Sequence, residues 1–133
     1  MILLSNNATQ TIAPGESITF DLVPLHTGCS ECHRQGSSSV KLRKQGIYEM
    51  HFNGNIGATA VGTAALQMEA GGEPIQDTSM IATVDTVGSL YNVSATTLIK
   101  NCCGDYDRIT VTNVGTTTIT LAPNSAFFAK RVA

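Results

Sequence analysis

Residues 47–56 read IYEMHFNGNI, with Tyr48, Met50, Phe52 and Ile56 in one alternating set and Glu49, His51, Asn53 and Asn55 in the other. A period of two suits a strand with one face buried and the other wet, whereas a helix would spread the apolar set around its axis. The same alternation recurs along the chain. Ile18, Phe20 and Leu22 alternate in 16–22, Val40 and Leu42 in 39–43, Leu66 and Met68 in 63–70, and Ile109 and Val111 in 107–114. Further strands are predicted over 79–84, 89–100, 116–122 and 125–133. Turn residues separate them: Pro14-Gly15, Gly46, Gly71-Gly72, Gly88, Gly104-Asp105, Gly115 and Pro123-Asn124. Strands recurring about every 10 to 12 residues predict an all-β antiparallel sandwich or jelly roll. Helix formers Ala65, Leu66, Met68 and Glu69 compete in residues 60–70, but the flanking glycines and the alternation favour a strand. Residues 16–133 form the expected sandwich domain, with 1–15 as an N-terminal arm or first edge strand. Tyr48, Met50, Phe52 and Ile56 are expected to meet Ile109 and Val111 in the core.

Charge and hydropathy narrow the function. Only 14% of the residues are charged while 42% are hydrophobic, a thin charged surface for a monomer. The segment Ala126, Phe127, Phe128, Ala129 is apolar on both faces, so one face meets the core and the other a sister subunit. Phe127, Phe128 and Ala129 are the expected interface residues. A net charge of −2 with no run of Lys and Arg excludes an electrostatic footprint for nucleic acid. The densest basic stretch, Lys41, Arg43 and Lys44, fits the solvent face of a strand. The apolar run after Met1 is too short for a secretory signal, and nothing approaches the ~20 apolar residues of a membrane span. The expectation is a product made in the cytoplasm without a signal peptide, with no membrane partner.

Three places resemble the trimeric jelly-roll superfamily of tumour necrosis factor and the globular heads of complement-type proteins. They are FDLVPLHTG (20–28), VKLRKQGIYEMHFNGNI (40–56) and GDYDRITVTNVGTTTITLAPNSAFFAKRV (104–132). The second is the most specific, a short strand, Gly, a hydrophobic residue, Tyr and an alternating apolar strand. Bacterial and phage members are those it resembles most. The resemblance implies a TNF-like sandwich of about ten strands, a homotrimer packed through its inner sheets, and a binding rather than catalytic role. It also implies a final location on a virion or cell surface. The calcium sites of some members are not carried over, because acidic residues are sparse in the middle loops.

The cluster His26, Cys29, Cys32, His33 lies outside that resemblance, as does the pair Cys102-Cys103. Zinc takes Cys and His ligands, but only Cys29 and Cys32 have knuckle spacing, and neighbouring residues on extended backbone point to opposite faces. Disulfides between the clusters, a zinc ion, or buried or free thiols all stay open. Counting strand directions puts both clusters at one end of the sandwich, where they would tie down the loop 24–38.

A Cys29 or Cys32 nucleophile with His26, His33 or His51 as base lacks a third group and an oxyanion hole. No P-loop, dinucleotide fingerprint or HExxH motif occurs. Asp105 and Asp107 fit a turn after Gly104. No enzymatic activity and no obligatory cofactor are expected.

Three functions remain. The first is a trimeric fibre head or decoration protein that binds a host or matrix ligand such as a glycan, with aromatic residues such as Tyr91 or Tyr106 at a tip. The second is a structural protein cementing a capsid, tail or surface filament, with an arm that orders on its scaffold. The third is a cytosolic barrel that binds a metal or small molecule in a closed cavity.

Overall fold

The alternation around residue 50 sorts side chains as the spacing predicts: Tyr48, Met50, Phe52 and Ile56 are fully buried on one strand. The structure, a computed structural model, describes residues 1–101 and 107–133. The described residues hold thirteen β-strands and no α-helix. In chain order these are β1 (Ile2–Ser5), β2 (Gln10–Ile12), β3 (Leu22–His26), β4 (Glu31–His33), β5 (Val40–Leu42), β6 (Gly46–Ala58) and β7 (Gly62–Ala70). They continue with β8 (Glu73–Pro74), β9 (Met80–Val84), β10 (Tyr91–Asn101), β11 (Asp107–Asn113), β12 (Ile119–Leu121) and β13 (Ala126–Arg131). The excess over about ten comes from short strands such as β4 and β8.

Two antiparallel sheets face each other. In the seven-stranded sheet the order is β2-β12-β6-β13-β1-β3, with β10 paired along β6. In the six-stranded sheet it is β4-β5-β11-β7-β8, with β9 also on β7. Between them lies one core, to which β6 contributes Tyr48, Met50, Phe52 and Ile56, and β11 contributes Ile109 and Val111. Phe20 stacks on Phe127 there, ring centroids 5.9 Å apart. This is the TNF-like jelly-roll sandwich.

Two glycine positions have clear physical reasons. Gly71 and Gly72, at φ 60° and 86°, join Ala70 to Glu73 in a two-residue hairpin that few other residues could make. At Gly54 a Cβ would lie 3.0 Å from the Phe52 ring and 3.2 Å from Leu121, so the missing side chain is the space the ring fills.

Within the N-terminal segment β2 is an edge strand, paired with β12 alone, whereas β1 is an inner one. β1 lies between β13 and β3, with Ile2 and Leu4 fully buried. The Met1 ammonium is 2.9 Å from the buried carboxylate of Glu31, which also accepts the Arg131 N–H. The strand expected over 16–22 is also displaced. Ile18 and Phe20 do face the core, yet only Ser17 bridges Thr112, and the regular strand begins at Leu22. Alternation reports which side chains go inward, whereas a strand also needs a partner along its length. Within residues 60–70, where a helix competed, Gly62–Ala70 are strand β7.

Tyr48 carries a polar load inside this core. Its hydroxyl lies 2.8 Å from Lys44 O and 3.3 Å from Ser30 O, and it accepts the Lys44 N–H at 3.3 Å. Tyr48→Phe keeps the ring but strands these groups, so urea denaturation should register a loss of about 1 to 3 kcal/mol.

Candidate functional site

The outer face of the seven-stranded sheet is built from the residues that alternate with the core set. Register places Leu25 opposite Leu3, Leu3 opposite Phe128, Phe128 opposite His51, and His51 opposite Thr96. These five side chains form one row across five strands, because directly paired residues in antiparallel strands share a face. The His51 and Phe128 rings pack with centroids 5.7 Å apart, and His51 Nδ1 is 2.6 Å from Thr96 Oγ1. Alongside runs the row Lys130, Glu49, Leu98. On the other side lie Ser5, Ala126, Asn53 and Ser94. Beyond them Asn92 donates to Asn53 Oδ1 at 2.7 Å and to Asn55 Oδ1 at 3.1 Å. The face therefore grades from apolar at β1, β3 and β13 to amide-rich at the far end of β6 and β10.

Its apolar part is concave. A groove of about 330 Å³ is lined by Met1, Leu3, Leu25, Glu49, Phe128 and Lys130. Leu25 and Leu98 remain exposed in the single chain, at 41% and 62%. Contiguous apolar surface of this kind marks an interaction site more often than isolated exposed residues do.

Of the three interface residues expected from sequence, only Phe128 stands on this face. Phe127 and Ala129 point the other way, into the core of their own chain. The reason is the strand period: an apolar run through both faces must split its members between them. Leu3, Leu25 and Leu98 were not among the expected residues. The signal for Leu3 was present, since residues 2–4 are apolar on both faces just as 126–129 are, and the two segments pair directly.

Cys29 and Cys32 are exposed free thiols. Cys102 and Cys103, their expected partners, lie outside the described residues, as do Asp105 and Tyr106; of Asp107 only the backbone is described, opening β11. The described flanks of that segment do reach the same end as Cys29 and Cys32. The Asn101 amide donates to Leu42 O and Lys44 O, and both Asp107 and Glu31 are registered with Leu42.

His33 does not fit a metal-ligand role: its Nδ1 is 2.9 Å from Ser39 O and its Nε2 3.0 Å from Phe20 O, so both ring nitrogens face carbonyls. His26 spends Nε2 on Glu31 O at 2.9 Å. Among the described residues no three His, Cys, Asp or Glu side chains group closely enough to hold an ion. The segment 24–38 is not a free loop either, because β3 pairs with β1 and β4 with β5. Tyr91, expected at a tip, is half-buried and donates its hydroxyl to Asp85 at 2.7 Å.

A thiol reagent is accordingly expected to label at least two cysteines in the native protein without reductant. Labelling that begins only after reduction would restore the disulfide reading.

No protein-family model matches the chain, and no curated protein sequence does. Solved structures match throughout its length. The Eiger TNF structure from S. frugiperda superposes with a TM-score of 0.78 at 11% identity, covering 99% of this chain and 91% of that one. The globular domain of zebrafish complement 1qA gives 0.74 at 13% identity, covering 99% and 96%. The PRD1 vertex protein P5 gives 0.56 at 15% identity, covering 99% and 96%. No helix among the described residues is long and apolar enough to cross a membrane.

Proposed function

We propose that the chain is a non-enzymatic module that trimerises through the outer face of its seven-stranded sheet. It serves as a fibre head or decoration protein of a virion or bacterial surface and binds a host or matrix ligand. The observation that carries this reading is the row Leu25, Leu3, Phe128, His51, an apolar concave surface spanning four strands of one sheet. Low overall charge supports self-association, and the resemblance to tumour necrosis factor and complement heads supplies the number three. The likeness to a phage vertex protein supports a place on a virion.

The cementing alternative expected an arm that orders on a scaffold, and residues 2–5 are instead an inner strand of the sheet. The test is the solution mass. Light scattering at micromolar concentration should return three chains, and a stable monomer would overturn the assembly.

A further inference from the structure

The apolar row on the outer face holds one side chain of a type that changes charge near neutral pH. Leu25, Leu3 and Phe128 lead across the sheet to His51, and Thr96 ends the row. The His51 ring is half-buried and packs on Phe128, centroids 5.7 Å apart. Its Nδ1 lies 2.6 Å from Thr96 Oγ1, the ring's one hydrogen-bond partner among the described residues. A hydroxyl both donates and accepts, so Thr96 serves the neutral ring and the imidazolium alike. The chain's other histidines, His26 and His33, turn ring nitrogens to backbone carbonyls and lie off this row.

Few charged groups surround His51. On β6, Glu49 shares its face two residues away and stands opposite Lys130 of β13. On β10, Lys100 stands opposite Ile47, beyond the row of Glu49 and Leu98. From the turn at 76–78, Asp77 lines a hollow of about 500 Å³ with Glu49 and Thr96, and both its carboxylate oxygens accept from the Thr97 hydroxyl at 2.8 Å. β1 and β3 bring Leu3 and Leu25 to the row, and the Met1 ammonium is held by Glu31. Among the described residues no carboxylate lies within ion-pair distance of the His51 ring.

We infer that protonation of His51 releases the assembled chains from one another, so that association weakens in mild acid. The inference concerns regulation of the assembly face proposed above and rests on that reading. A histidine takes up its proton between about pH 8 and 5. In the separate chain the outer face is open to water, which solvates an imidazolium. Under a sister subunit the ring is enclosed among Leu3, Leu25 and Phe128, and a charge enclosed without a counter-ion is unfavourable. Separate chains therefore take up protons that the assembly excludes. By linkage, acid draws the equilibrium toward them.

The test is light scattering of the full chain over a dilution series at about pH 8 and about pH 5.5, where ordinary carboxylates stay mostly ionised. In acid the association constant should fall about tenfold or more while circular dichroism stays native; linkage allows up to about tenfold per chain for each pH unit. His51→Gln keeps a hydrogen-bonding group for Thr96, and His51→Phe extends the apolar row. Both should assemble equally at the two pH values. His26→Gln should keep the response of the unaltered chain. Association that is unchanged or tighter in acid overturns the inference and leaves the assembly standing. So does an acid response that persists in His51→Gln and His51→Phe, or one that disappears in His26→Gln. Loss of the fold at about pH 5.5 also overturns it. A monomer already present at about pH 8 instead overturns the assembly face itself, and the inference with it.

Discussion

Phe127→Asp is expected to cost the chain its fold, and Phe128→Asp only its partners. The two residues are neighbours on β13 and of the same type, so the contrast isolates direction. Phe127 is 1% exposed and packs on Phe20 between the sheets. A carboxylate there has no counter-charge, and burying one costs several kcal/mol, a large part of a typical domain's stability. Phe128 lies on the outer face beside His51, with solvent on one side in the single chain. Asp there is tolerated by the chain but would be buried on assembly. Circular dichroism should show an unfolded Phe127→Asp and a native Phe128→Asp, while light scattering finds Phe128→Asp monomeric. A trimeric Phe128→Asp would remove this face from the interface.

Phe52→Ala should lower stability by about 3 to 5 kcal/mol in chemical denaturation, the range for a large aromatic side chain removed from a closed core. The upper part of that range is expected here. The ring is fully buried and lies against Gly54, a position with no side chain to move into the cavity. A loss below about 1 kcal/mol would mean that β6 is shifted by one residue, since a slip of one exchanges its two faces. His51→Ala, one position away on the outward face, should by contrast leave monomer stability nearly unchanged.

The candidate face was half legible. Phe128 could be found because its strand is apolar on both sides, but so are Phe127 and Ala129, and composition alone does not say which of them looks outward. Leu3 was hidden because residues 1–15 were expected as an arm or first edge strand, whereas β1 is an inner strand. The row Cys32, Lys41, Arg108 shows the same limit more sharply. Lys41, Arg43 and Lys44 read as an ordinary solvent face, and Arg108 is more than sixty residues away in sequence. It becomes a neighbour only because β11 pairs with β5.

What the sequence determined by itself was local and periodic. The inward residues of β6 and β11, the Gly71-Gly72 hairpin and the all-β class follow from a two-residue repeat and from backbone preferences, both of which act within a few residues. Strand pairing is a different kind of information. It joins segments far apart in the chain, and many pairings satisfy one hydrophobic pattern equally well. The tertiary structure alone therefore placed β1 between β13 and β3, and ended the expected strand at 16–22 for want of a partner along its length. It also occupied both nitrogens of His33 with carbonyls, and set Cys32, Lys41 and Arg108 in one row.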